Sequence, residues 1–192
     1  MLTAEGARPP KDHRDVLVEQ TVAQIDQKNQ DESLEEALTY GTAFSAQVFE
    51  SAIVYYEMGL ACNRQDKTKK AISYYNKAIK IQPDMMEALY DRAELYMVSG
   101  DLQKAKKDLR RALKTNHWIV HFRLAEIAGR EKDTETLELH LIESVRYGFP
   151  LNSLFQFGVH WQTWVKDPIL GRVLRRVIFL YGSEDLWQDF TE

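Results

Sequence analysis

The strongest constraint on this chain of 192 residues is that it repeats itself. Ala71, Tyr75, Ala78 and Pro83 stand 34 residues before Ala105, Leu109, Ala112 and His117, so four positions recur at one period. Leu137, Leu141, Ser144 and Phe149 follow the second set by 32 residues, which fits a third copy with a shortened turn. A period of about 20–50 residues describes a unit that cannot bury its apolar face alone and must stack on its neighbours. Within each copy two helical patterns flank a polar turn, at Arg64–Asp66, Ser99–Asp101 and Arg130–Asp133. Asp66, Asp101 and Asp133 are predicted N-caps of the second helices, where a carboxylate accepts from free amides and meets the positive end of the helix dipole.

The residues that recur also carry a family resemblance. Tyr55, Met58-Gly59, Ala71, Tyr75, Ala78 and Pro83 resemble the tetratricopeptide pattern W-x2-L-G-x2-Y, A-x3-F, P. In the second copy Leu89, Arg92-Ala93, Tyr96, Gly100, Ala105, Leu109 and Ala112 take the matching places, with His117 where the closing proline would stand. The third, with His121, Leu124-Ala125, Ala128, Leu137, Leu141 and Ser144, keeps mainly the small and apolar character. The resemblance covers residues 52–149 and implies an all-α helix-turn-helix solenoid in which the first helix of each pair lines a concave surface.

Flanking segments must then close the array, because a solenoid needs terminal elements with a polar outer face. Residues 1–14, with Gly6, Pro9 and Pro10, read as a flexible leader. Over 15–51, the stripe Val16, Val18, Val22, Ile25 and the capping-box pair Ser33 and Glu36 predict a divergent helical pair or N-terminal cap. Over 150–192 a helical C-terminal cap is expected. It carries Phe155, Phe157, Trp161 and Trp164, then Asp167-Pro168 as a helix start, the stripe Ile169, Val173, Leu174, Val177, Ile178 and Tyr181, and Gly182 as a stop. The alternative is that the segment holding Trp161, Trp164 and Trp187 is a second docking surface, since tryptophan and tyrosine dominate interface hot spots.

Composition narrows the chemistry. A net charge of -4 gives no global reason to bind nucleic acid, although the middle of the chain is basic and both flanks acidic. No stretch approaches the about 18 apolar residues of a membrane span, and no secretory leader is evident. The single cysteine, Cys62, fits a reducing compartment, so the expected location is cytoplasmic, with the nucleus as the alternative. Of His13, His117, His121, His140 and His160, only His117 and His121 have helical i,i+4 spacing, and no third metal ligand accompanies them. Phosphate-cradling glycine loops and a hydrolase nucleophile elbow are missing, so no enzyme activity, cofactor or metal is expected. The run Lys104, Lys106, Lys107, Arg110, Arg111 and Lys114 reads as a solvated second-helix face, with an acidic partner on it as a secondary possibility.

What remains is recognition. The resemblance places Tyr56, Leu60, Tyr90, Glu94, Phe122 and Glu126 on the concave side, an aromatic row beside acids. That pattern predicts a non-catalytic adaptor or assembly subunit whose partner is a protein or peptide segment with apolar anchors and basic residues. The same aromatics have a competing assignment as packing between neighbouring helices. A family subgroup clamps acidic chaperone tails, but here Tyr56 and Leu60 replace the expected lysine and asparagine and Asp91 replaces the next asparagine, leaving Arg123 as the one clamp-like residue.

Overall fold

A computed structural model describes residues 11–30, 33–47, 50–156 and 159–182. The fold is all-α, and the α-helices among the described residues are α1 Lys11–Gln30, α2 Leu34–Gln47, α3 Ala52–Arg64, α4 Thr68–Ile81, α5 Met86–Val98, α6 Leu102–Ala112, α7 Trp118–Glu131, α8 Thr134–Arg146, α9 Val159–Lys166 and α10 Leu170–Tyr181. No strand occurs among the described residues, and none of the described helices is long and apolar enough to cross a membrane. The contacts divide the chain into two compact units, Met1–Leu95 and Tyr96–Glu192.

In the first unit, α1 and α2 pack on each other and both pack on α3, while α3 pairs with α4. The α1 stripe is only partly used: Ile25 is fully buried and Val16 is exposed. Ser33 immediately precedes α2, and the Glu36 carboxylate of its first turn pairs with Lys28 at 2.7 Å. Helix α1 begins at Lys11, so the leader expected over 1–14 gives way to helix for its last four residues, and its first ten lie outside the described residues. The α3–α4 pair closes on Tyr75, whose ring is fully buried against Gly59: a Cβ on that glycine would meet Tyr75 Cε1 at 2.4 Å. Ala61, Cys62, Ala71 and Leu95 complete that core.

The turns between paired helices are where local chemistry and period part. Asp101 and Asp133 are N-caps as expected, accepting from Lys104 N at 3.3 Å and Thr136 N at 3.1 Å. Asp66 is not. It has φ 55°, and the residue before α4 is Lys67, which makes no side-chain cap. The 34-residue period supplies the reason, since it aligns Asp66 with Gly100, also left-handed at φ 81°, and aligns Lys67 with the capping Asp101. Aspartate serves there as one of the few non-glycine residues that tolerate the left-handed region after a helix end.

In the second unit, α7 pairs with α8, and α10 packs on both α8 and α9. Asp167 Oδ1 accepts from Ile169 N at 2.8 Å and Leu170 N at 2.9 Å, so the Asp-Pro start works as expected, and α10 ends at Tyr181 with Gly182 next. Leu170, Leu174, Val177 and Ile178 face a core that contains Leu137, Leu141, Phe149 and Trp161. Trp164 lies over Gly129, where a Cβ would stand 2.3 Å from its ring. Trp161 is fully buried; Phe157 and Trp187 lie outside the described residues.

Candidate protein-interaction site

Four of the six residues expected on the concave surface fall in the first unit, on the paired-helix starts α3 and α5. Tyr56, Leu60, Tyr90 and Glu94 are all half-buried there, within reach of solvent but held by packing. Tyr56 lies on α3 beside Tyr75, with ring centroids 6.0 Å apart, and its hydroxyl donates to Asp91 Oδ2 of α5 at 2.9 Å. Burial, and then the neighbouring Asp91 carboxylate, push the Tyr56 hydroxyl well above the usual phenol range. Burial likewise raises Asp91, the Tyr56 hydrogen bond opposing it and Glu87 adding to it. Glu57, the next residue on α3, is raised by burial and by Asp26, with Arg64 opposing. The face is therefore aromatic, carboxylate-rich and partly dehydrated, a setting that strengthens its attraction for a cation.

The other two expected residues lie in the second unit and are not exposed. Phe122 is fully buried, stacked on Phe149 at 4.5 Å and on Trp161 at 5.0 Å. Glu126 is 4% exposed, with Arg123 Nη1 donating to it at 2.8 Å and Arg130 donating to its other oxygen. The expectation that both line an open surface is corrected here. The aromatic segment after α8 packs onto α7 and covers Phe122, and the two arginines pair with the glutamate. Arg123, the one clamp-like residue, is held in that same ion pair.

The histidines pair differently from their sequence spacing. His117 caps α7, its Nδ1 accepting from Ile119 N at 3.3 Å, whereas His121 meets His140 of α8 with 3.1 Å between their Nδ1 atoms. Cross-helix register brings this pair together, which i,i+4 counting along one helix does not register. His140 is pushed down to about 4 by burial, then by His121 and Arg110. Among the described residues no group of three or more metal-ligating side chains is found. On α6 the basic run splits as an amphipathic helix must: Ala105, Asp108, Leu109 and Ala112 are buried, Lys107 and Arg110 are exposed, and Lys106 pairs with Glu131.

Comparison with known proteins agrees with this architecture. The tetratricopeptide repeat family matches residues 52–85 and again residues 86–117. A probable biofilm formation methyltransferase, WspC of Pseudomonas putida, is 39% identical over 62 residues, 32% of this chain and 15% of that protein. The photosystem I assembly protein Ycf3 of Prochlorococcus marinus is 34% identical over 68 residues, 34% of this chain and 39% of Ycf3. In both cases the match spans well under two thirds of the relative's length. Among solved structures, MamA from Desulfovibrio magneticus RS-1 superposes with a TM-score of 0.66 at 14% identity, covering 92% of this chain and 98% of that one. Paired helices at this period, matched twice by the tetratricopeptide repeat family, define a helical-repeat module of the protein-interaction or assembly class. Residues 52–85 and 86–117 are two tetratricopeptide repeats.

Proposed function

We propose that the chain is a non-catalytic adaptor or assembly subunit that holds a partner segment against the α3–α5 face, with apolar anchors on Tyr56, Leu60 and Tyr90 and basic residues towards Glu57, Asp91 and Glu94. The observation that carries this reading is the half-buried row itself: aromatic rings accessible at one edge beside carboxylates whose proton affinity is raised by burial. Such rings bury apolar side chains of a ligand, and such carboxylates select its charge. An acidic chaperone tail would meet carboxylates of its own sign, which disfavours the co-chaperone alternative. The buried, unpaired Cys62 fits the reducing cytoplasmic or nuclear setting proposed with it.

Affinity capture from a native extract, comparing wild type with a Tyr90→Ala, Glu94→Gln double variant of unchanged circular dichroism, tests the proposal. A partner retained by wild type and lost by the variant supports it. Identical partners for both would remove the α3–α5 face from consideration. Attention would then move to the outer side of α10, where Phe179 is 75% and Leu180 57% exposed.

A further inference from the structure

Helix α10 uses one side for the core of the second unit and leaves the other to solvent. Leu170, Leu174, Val177 and Ile178 are buried, whereas Phe179 is 75% and Leu180 57% exposed, and Ile169, immediately before the helix, is 50% exposed. The terminal element of a stacked array ordinarily turns a polar side outwards. Here the outward arc mixes apolar and cationic residues: at about 100° per residue, Arg175, Phe179, Arg172, Arg176 and Leu180 follow one another round it. The helix carries three arginines and no acidic residue.

Between α8 and α10 lies a cleft of about 300 Å³ lined by Thr134, Glu138, Ile169, Arg172, Val173 and Arg176. A second, of about 370 Å³, opens beside the start of α10, with Lys166, Asp167, Arg172 and Arg175 in its wall. Four cations thus border the two clefts against two carboxylates, and both carboxylates are committed. Glu138 pairs with Arg176 Nε at 3.1 Å, and Asp167 accepts from the Ile169 and Leu170 amides. Arg172 donates through Nε to the Pro168 carbonyl at 2.9 Å and makes no ion pair among the described residues. The Arg176 side chain is 69% exposed despite its pairing.

We propose that the α8–α10 face docks an amphipathic helix of a partner protein that carries aspartate or glutamate beside leucine-like anchors. Charge complementarity selects this occupant. The Nη groups of a guanidinium match a carboxylate in pairs. With Nε of Arg172 and of Arg176 already held, less freedom is lost when a ligand arrives. The cleft over Ile169 and Val173 has room for an apolar side chain, and Phe179 and Leu180 continue the apolar surface along α10, as the spaced anchors of a helical ligand require. A second copy of the chain fits less well, since a two-fold contact through α10 sets arginines against arginines. A lipid surface also fits less well. Helices that lie on membranes separate apolar from basic residues, whereas here the two interleave and the continuous apolar side of α10 faces the core. The proposal is independent of the α3–α5 face, which lies in the other unit and carries the opposite charge.

Titration of the full-length 15N-labelled chain with two blocked leucine–alanine peptides tests this, one with glutamates beside the leucines and the other with glutamines in those places. Each is about 15 residues long, enough for a helix to form on binding. The glutamate peptide is expected to bind about tenfold more tightly, shifting the amides of Arg172, Arg176 and Phe179, with an advantage that shrinks as salt is added. Replacing Arg172→Gln and Arg176→Gln together should narrow that advantage to about threefold or less. Phe179→Ala with Leu180→Ala should weaken both peptides about tenfold. Both side chains are exposed, so this variant loses little packing, and circular dichroism checks the helicity of each variant. Equal binding of the two peptides at α10 would overturn the acidic occupant. A glutamate advantage undiminished in the arginine variant, or shifts confined to Tyr56, Leu60 and Tyr90, would place the contact elsewhere and overturn the α10 face. No shift with either peptide would overturn it too, and in that case two further measurements identify the occupant. Co-sedimentation with phosphatidylserine–phosphatidylcholine vesicles, lost in the Phe179 and Leu180 variant, would assign the face to lipid. Concentration-dependent self-association lost in that variant would assign it to a second copy.

Discussion

Gly59 and Tyr75 are complementary in a way that sets a measurable cost at single-residue scale. A methyl group at Gly59 would fall 2.4 Å from the Tyr75 ring, which is fully buried and has nowhere to retreat. Gly59→Ala is expected to lower stability by about 1–3 kcal/mol, the usual range for overpacking, read from the urea midpoint at an unchanged m-value. His140 gives a pH signature at the same scale. It is held at about 4 in the folded chain, chiefly by burial, and an unfolded imidazole titrates near about 6.5. Between those values the unfolded chain binds a proton that the folded chain refuses, so stability is full above about pH 6.5 and is lost as pH falls towards 4. His121, lowered by burial, acts in the same direction; Glu143 opposes both, and Arg110 reinforces the effect at His140. The urea midpoint should therefore fall between pH 7 and pH 5, and fall less in His140→Gln. An equal fall in both proteins would assign the effect to groups other than this pair.

At the scale of helices and turns, the three inter-helix aspartates separate by role. Asp101→Ala and Asp133→Ala each remove an acceptor from a helix start and should lower the midpoint of thermal unfolding. Asp66→Gly should instead be neutral or stabilising by up to about 1 kcal/mol, because glycine adopts the left-handed conformation there without a Cβ penalty. If Asp66→Gly destabilised as much as Asp101→Ala, the distinction between cap and left-handed turn would be lost. The existence of these helices was readable from the period and the apolar spacing. An aspartate at each turn end suggests three caps, whereas strict alignment at 34 residues pairs Asp66 with Gly100. Helix α1 begins at Lys11, inside the segment expected as a leader. His13, Arg14 and Asp15 carry no apolar stripe, and helical hydrogen bonding does not require one.

At the scale of a whole unit, the segment after α8 buries one of the residues expected on the concave surface. Phe122 sits at the same repeat position as Tyr56 and Tyr90, and a repeat-by-repeat reading assigns all three to one surface. The second unit instead seals Phe122 between Phe149 and Trp161. Phe122→Ala should accordingly cost about 3–5 kcal/mol in stability, the loss expected of a core phenylalanine, and melting against wild type would detect it. Tyr90→Ala, at a half-buried position, should cost less and leave the helical signal intact. A Phe122 variant that melted like wild type would return that residue to the surface.

The sequence by itself determined the all-α class, the period, most helix starts, and the aromatic and acidic character of the α3 and α5 faces. Each of these depends on residues close along the chain, through helical spacing, capping or a fixed repeat. Tertiary structure alone decided which of the repeated positions stay accessible. Burial of Phe122, the meeting of His121 with His140, and the contacts of Tyr56 with Tyr75 and Asp91 all join residues far apart along the chain. Their physical cause is packing between surfaces that periodicity describes only one at a time. A repeat assigns each side chain a direction, and the neighbour packed in that direction determines whether it meets solvent, a counter-charge or a ring.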